Sequence, residues 1–206
     1  LIGLIKYRAK FIQKLNGFFS FCFYDSSKKY YLLARDRFGI KPLIYSKTPD
    51  NLIFGSELKA VLAFDINKDI DHQALAQYFR HTYIPAPRTI LKSCKKLLPG
   101  HYIESMNGNF AIKKYYDFYP SKKSDDDYLT AQKKIKDLLH QSVQKRLVSD
   151  VPLGTFLSGG VDSSIISAVA KEYKNDLNTF SLGFPDEPLF DESKYAQKVA
   201  KHINSN

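Results

Sequence analysis

The stretch that most constrains this chain is GTFLSGGVDSS, residues 154–164. Thr155, Phe156 and Leu157 make a short apolar run of the kind that forms a buried parallel strand. Ser158, Gly159 and Gly160 interrupt it, and the apolar-rich run of residues 163–170 predicts a helix. A strand, a glycine turn and a helix N-terminus together make an anion site, because free backbone N–H groups and the positive end of the helix dipole point at one spot. Glycine lets a backbone approach a phosphate with no Cβ in the way. The serine hydroxyls add donors, and Asp162 has the carboxylate to hold a divalent cation against phosphate oxygens. The Gly-x-x-x-x-Gly-Lys-Ser/Thr loop and its lysine are absent. The plain alternative is a Ser/Gly turn between a strand and a helix.

The rest of the chain divides by its pattern of elements. Residues 17–25, GFFSFCFYD, are apolar at nearly every position and predict a strand buried on both faces. A polar turn at residues 26–29 leads to a second strand at 30–35, and further strands are expected at 43–46 and 52–55, with a turn at Thr48-Pro49-Asp50-Asn51 between them. Short turns between strands describe an antiparallel sheet. Ser56 is placed to N-cap a short helix over 57–63, and Asp71 a helix over 72–80 with Leu75, Ala76 and Phe79 as its buried stripe. Asn107-Gly108 marks a hairpin before a strand at 110–118. Residues 120–127 are polar and aperiodic, as a linker would be. Beyond them a helix is expected over 128–149, with Leu129, Ile135, Leu138, Leu139, Val143 and Leu147 on one face. After the 154–164 stretch come a strand at 178–184 and a helix N-capped by Asp191. Strand, helix, strand, helix is a parallel α/β pattern, so the architecture changes near residue 120.

Composition excludes more than it assigns. The 206 residues are 44% hydrophobic and 25% charged, ordinary for a globular protein. No apolar run is long enough to span a bilayer, and the first eleven residues are too basic for a secretory leader. The net charge of +10 lies wholly in residues 1–119; residues 120–206 are neutral. That basic half raises nucleic-acid binding as a reading, but no recognition motif accompanies lysines scattered singly and in pairs, and no nucleic-acid partner is expected. Cys22 and Cys94 fit neither a metal motif nor a disulfide framework, and point to a reducing cytoplasm. The five histidines have no ligand spacing. With Met106 the only methionine, the expectation is a piece of a longer protein.

The second informative string is ARDRFGIKPLIY, residues 34–45. Asp36, at a strand end between two arginines, offers acceptor oxygens to a substrate ammonium. Its plain alternative is an ion pair with a neighbouring arginine. RDRFGIKPLIY followed by GSELKAVLA resembles the latter part of a class II glutamine amidotransferase domain. SGGVDSS resembles the pyrophosphate loop of the ATP-pyrophosphatases. The two in this order, with YIPAPRTILKSCKKLLPGHYI and Tyr-Tyr-Asp between them, resemble the glutamine-hydrolysing asparagine synthetases over essentially the whole chain.

The resemblance implies an Ntn-type α+β antiparallel-sheet domain, its C-terminal part at residues 1–119. A linker at 120–127 then leads into the start of a parallel α/β, Rossmann-like ATP-pyrophosphatase domain at 128–206. It implies that Asp36 binds the α-ammonium of glutamine. ATP is taken by Leu157, Ser158, Gly159, Gly160, Val161, Asp162, Ser163 and Ser164, with Leu182 packing on adenine and Mg2+ held by Asp162. The implied substrates are glutamine, aspartate and ATP, and the implied reaction forms an acyl-adenylate that ammonia attacks. Related enzymes of this layout use other carboxylates, and a non-catalytic nucleotide-binding relative is a further reading; a homodimer is an assembly the resemblance allows. The family's glutaminase nucleophile is an N-terminal cysteine. Leu1, Cys22 and Cys94 do not match it, so no catalytic residue is assigned within residues 1–206, which are expected to span the domain junction and to be inactive alone.

Overall fold

The computed structural model describes residues 1–48, 51–106, 108–119, 123–184 and 186–206. The chain forms two compact units, Leu1–Ser121 and Lys122–Asn206. It is a mixed α/β protein with antiparallel sheets in the first unit.

The first unit opens with helix α1 (Ile2–Tyr7) and a 3₁₀ segment (Arg8–Lys14), which lead into β1 (Ser20–Asp25). β1 pairs antiparallel with β2 (Tyr30–Arg35), joined by a turn whose amides at Ser27 and Lys28 bond to the Asp25 carboxylate. Next come β3 (Ile44–Lys47), β4 (Leu52–Gly55) and the short helix α2 (Leu58–Val61), then α3 (His72–His81). β5 (Cys94–Lys96), β6 (His101–Met106) and β7 (Asn109–Lys114) complete the unit. A single antiparallel sheet was the expectation; the strands form two, ordered β1-β2-β6-β7 and β4-β3-β5. The reason is the segment after Arg35, which carries the chain from one sheet to the other.

β2 is the strand buried on both faces. Tyr30, Leu32 and Ala34 pack on Ile12 with Phe19, Phe21 and Phe23, while Leu33 faces Leu43, Tyr45, Leu97 and Ile103 between the two sheets. β1, expected to be buried on both faces, covers only one, and it lies at the edge of its sheet. Phe21 and Phe23 are partly buried, while Cys22 and Tyr24, on the opposite face, are exposed. The Tyr24 ring stacks on Tyr31 across the hairpin. A third cluster joins Val61, Ile66, Leu91 and Cys94, which opens β5 and is buried.

Asp71 caps α3 as expected, accepting from the amides of Gln73 and Ala74. Its other oxygen pairs with Arg88, and its own amide donates to Ile90 O. These contacts fix the rotation of the helix, so Ala74 is buried and Leu75 partly so, whereas Ala76 is exposed and Phe79 is 77% exposed. The expected Ala76–Phe79 stripe is therefore outward. The N-cap of α2 is Glu57, whose side chain pairs with Lys59 and makes no capping hydrogen bond, rather than Ser56. The strand expected to run to Phe118 ends at Lys114. Of the expected turns, Pro49, Asp50 and Asn107 lie outside the described residues, as do Pro120, Ser121 and Lys122 of the expected linker.

The second unit begins with α4 (Tyr128–Arg146), capped by Asp127 through the Thr130 amide. β8 (Gly154–Phe156), α5 (Val161–Tyr173), β9 (Asn178–Phe180) and α6 (Ser193–Ile203) follow. β8 and β9 pair in parallel, with Phe156 opposite Phe180. Val143 with Leu139 and Leu147 packs on Val169, Ala170 and Leu177. The α4 stripe is shorter than expected, since Leu129, Ile135 and Leu138 are 73%, 66% and 61% exposed. β8, expected to be buried, leaves Phe156 exposed; the buried residue is Leu157, just past the strand. β9 stops at Phe180 rather than 184. Among the described residues no helix is long and apolar enough to cross a membrane.

Leu33 and Phe79 separate core from surface. Leu33→Ala should destabilise the first unit by about 2–5 kcal/mol through a cavity between the sheets. Phe79→Ala should stay within about 0.5 kcal/mol of the parent. Urea unfolding followed by circular dichroism measures both, and equal losses would overturn the assignment of α3's buried face.

Candidate functional sites

In the first unit the site is the turn after β2. Asp36 is 1% exposed. Its Oδ1 accepts the amides of Phe38 (3.1 Å) and Ile40 (3.0 Å), and its Oδ2 accepts that of Lys41 (2.9 Å). Burial pushes the carboxyl upward, but the amides of Lys41, Ile40 and Phe38 outweigh it and hold Asp36 below the usual carboxylate range. Its own carbonyl accepts from Gly39 and from Gly100. The Arg35 guanidinium takes the opposite groups of the same turn, donating to Gly39 O (2.7 Å), Lys41 O (2.8 Å) and Leu97 O (2.6 Å). Gly39 needs to be glycine here, with φ +68° and a would-be Cβ only 2.9 Å from the Pro99 ring.

The arginine–Asp36 ion pair weighed from sequence is not formed. Arg35 is committed to carbonyls, and Arg37 donates to Gln13 O and lies over the Tyr116 ring. Tyr115, which sequence reasoning did not single out beyond the Tyr-Tyr-Asp string, donates its hydroxyl to Arg35 O at 2.8 Å. Burial and the Asp36 charge push the Tyr115 hydroxyl up to about 12, partly offset by Arg37, so it stays a donor at neutral pH. Neither cysteine lies in this turn.

In the second unit the site is the link from β8 to α5. Thr155 Oγ1 lies 2.8 Å from the buried Ser167 Oγ, which ties strand to helix. Leu157 N donates to Phe180 O, and the chain then turns through Ser158 and Gly159. Ser158 Oγ lies 2.9 Å from Ser163 Oγ and accepts the Gly160 amide at 3.3 Å. Ser164 turns inward, its hydroxyl donating to Gly160 O at 2.7 Å. The N-cap of α5 is Gly160, so no side chain covers the first-turn amides of Val161, Asp162 and Ser163.

The two glycines differ in their physical role. Gly159 has φ +83°, and a Cβ there would sit 2.4–2.7 Å from Tyr195 and the Ala196 nitrogen on α6. It is required by packing inside the unit rather than by approach of a ligand. Gly160 has open space, its nearest neighbour being Ser158 Oγ at 3.4 Å. Leu157, Ser158, Ser163 and Leu182 share a pocket of about 380 Å³ with Phe156, Phe180 and Glu192. Sequence reasoning missed the phenylalanine walls; the alternation Phe180, Leu182, Phe184 was the signal available. Val161 and Asp162 are exposed on the first turn beside this pocket.

Asp191, expected to N-cap α6, is not the cap: the N-cap is Glu192, and Asp191 lies one residue before it, its Oδ1 accepting the Ser193 amide at 3.1 Å. Asp162 is in no ion pair among the described residues, and no cluster of three ligating side chains occurs among them. One carboxylate beside a turn with uncapped amides has the donor chemistry that Mg2+ takes, since that ion uses few protein ligands and completes its shell with other oxygens.

Comparison with known proteins covers most of the chain. The family model for the glutamine amidotransferase domain matches residues 2–116, and that for asparagine synthase matches residues 134–206. The chain is 36% identical over 197 residues to asparagine synthetase [glutamine-hydrolyzing] 1 of Bacillus subtilis, covering 94% of this chain and 30% of that protein. It is 34% identical over 213 residues to asparagine synthetase [glutamine-hydrolyzing] 3 of the same organism, covering 100% and 34%. It is 36% identical over 200 residues to putative asparagine synthetase [glutamine-hydrolyzing] 2 of Methanocaldococcus jannaschii, covering 94% and 38%. A glutamine amidotransferase domain thus precedes an asparagine synthase segment. The chain belongs to the glutamine-hydrolysing asparagine synthetase family, a family of ligases, and spans about a third of the length of these relatives.

Three substitutions test this geometry. The lowered Asp36 carboxyl contributes stability that is fully present above about pH 4, the unfolded-state value, and is lost as pH falls through the folded-state value. Asp36→Asn should lower the urea midpoint at pH 7 and flatten its fall toward pH 3; an unchanged acid profile would refute the role. Gly159→Ala should lower the melting temperature of the second unit by several degrees, whereas Gly160→Ala should leave it nearly unchanged. Differential scanning calorimetry separates them.

Proposed function

We propose that the protein to which this chain belongs is an ATP-dependent, glutamine-hydrolysing amide ligase that converts aspartate to asparagine. In this reading residues 1–119 are the C-terminal part of the glutaminase domain, 120–127 a linker, and 128–206 the start of a Rossmann-like ATP-pyrophosphatase domain. The observation that carries it is the uncapped first turn of α5, with Gly160 open to approach, beside the pocket that joins Leu157, Ser158, Ser163 and Leu182.

The chemistry follows from those groups. The amides of residues 161–163 and the Ser158 and Ser163 hydroxyls face the phosphates of ATP, with Gly159, Val161 and Ser164 holding the turn in shape. Leu182 supplies an apolar wall for adenine. Mg2+ held by Asp162 would supply charge neutralisation on the phosphate oxygens. Attack of the aspartate β-carboxylate on the α-phosphorus gives β-aspartyl-AMP and pyrophosphate. The turn's donors stabilise charge developing on the departing pyrophosphate. Ammonia released from glutamine then displaces AMP. Asp36 takes the α-ammonium of glutamine through Oδ2, which accepts one amide where Oδ1 accepts two and so retains acceptor capacity. Two free thiols support a reducing, cytoplasmic setting, and small molecules rather than nucleic acid or membrane are the proposed partners; the proposed assembly is a homodimer.

The full-length protein, given ATP, aspartate and glutamine, should form AMP, pyrophosphate, asparagine and glutamate in matched amounts. Pyrophosphate exchange that ignores aspartate and requires another acid would move the acceptor to that acid. ATP binding without turnover would reduce the reading to a nucleotide-binding homologue.

A further inference from the structure

The segment that leaves β7 is built into the Asp36 turn. Tyr115 donates to Arg35 O, the carbonyl of the peptide that enters Asp36. Gly100 donates to Asp36 O and accepts the amides of both Tyr115 and Tyr116, so one residue bridges the turn and the segment. That approach requires glycine: at φ +66°, a Cβ on Gly100 would stand 2.7 Å from Tyr116 O. Above the turn, the Phe38 ring meets Tyr116 edge-on at 5.8 Å and Phe118 at 5.7 Å. Arg37 lies over Tyr116 at 5.1 Å. Phe38 supplies one of the three amides that hold the carboxylate.

We infer that Tyr115 and the Phe38–Tyr116–Phe118 ring cluster position the Asp36 carboxylate for the substrate ammonium, which makes residues 115–118 a wall of the amidotransferase site. The inference rests on the proposed role of Asp36 and adds residues to it. Tyr115 is a positioning residue, acting through the Arg35 peptide. The physical ground is that the carboxylate is fixed entirely by backbone groups of a short turn. Both side chains that follow Asp36 in the turn, Arg37 and Phe38, rest on this segment. Phe38 and Phe118 are 57% and 72% exposed, so the rings contribute little to the core and their loss shifts the turn more than it unfolds the unit. Tyr115 keeps its proton at neutral pH, so its hydroxyl remains a donor to Arg35 O.

The test is glutamate release by the full-length protein, with KM for glutamine and kcat measured separately for Tyr115→Phe, Phe118→Ala and Phe118→Tyr. Tyr115→Phe and Phe118→Ala should each raise KM by about two- to tenfold with a smaller change in kcat, and Phe118→Tyr should restore it. A fall in kcat at constant KM would mark a merely structural role and overturn the inference. So would an unchanged KM in both variants. Asp36→Asn, run beside them, separates the two levels. If it leaves KM unaltered, the assignment of Asp36 itself fails; if it raises KM while the Tyr115 and Phe118 variants do not, only the positioning role fails.

Discussion

The first unit depends on a buried carboxylate neutralised by amides rather than by a cation. The chain leaves β2 inside one sheet and has to reach β3 in the other within a few residues, and that tight turn leaves backbone groups without sheet partners. Asp36 and Arg35 divide them. The carboxylate gathers the N–H groups of residues 38, 40 and 41, and the guanidinium gathers the C=O groups of residues 39, 41 and 97. Each ion is thus satisfied by dipoles that would otherwise be orphaned. The same arrangement ties the outward crossing at Asp36 to the return crossing at Gly100. The two sheets are pinned there, and the Leu33–Ile103 cluster packs between them.

The second unit solves the converse problem. At the start of α5 the amides are left without partners, because the N-cap is glycine and the serine hydroxyls bond to one another and to Gly160 O. An ordinary helix has a Ser, Thr, Asp or Asn side chain at that position to close the first turn. Here no side chain closes it, and in the proposed reading a bound phosphate would. Ser158 and Ser163 hold each other in place and fix the shape of the turn. Gly159 fits against α6, which fixes the turn from behind.

What could be read from the sequence follows from how local each signal is. Asp71 and the strand positions at 30–35 and 52–55 were legible because capping and alternation are determined within a few residues. The loop-to-helix transition at 158–164 was legible for the same reason. The edge position of β1 was not, because GFFSFCFYD is equally apolar whether a strand is central or peripheral; only the pairing order decides. The outward turn of Phe79 depends on Arg88, nine residues further along, reaching back to Asp71. Tyr115 lies 80 positions from Arg35, and no periodicity connects them. The local turns were readable, whereas the contacts that hold them in place are long-range.

Within the proposed reading, the placement of Asp162 carries a consequence for selectivity. A carboxylate in the first turn is favoured by the helix dipole, so Asp162 stabilises the helix when nothing is bound. A bare anion entering the same turn meets that negative charge along with the amides, and the repulsion offsets part of the attraction. An anion that carries a divalent cation meets the carboxylate as a ligand instead. The exposed position of Asp162, outside every ion pair among the described residues, leaves it able to make that exchange. In that reading the turn would favour a metal-chelated polyphosphate over a free inorganic anion, a distinction that glycine and amides alone would not make.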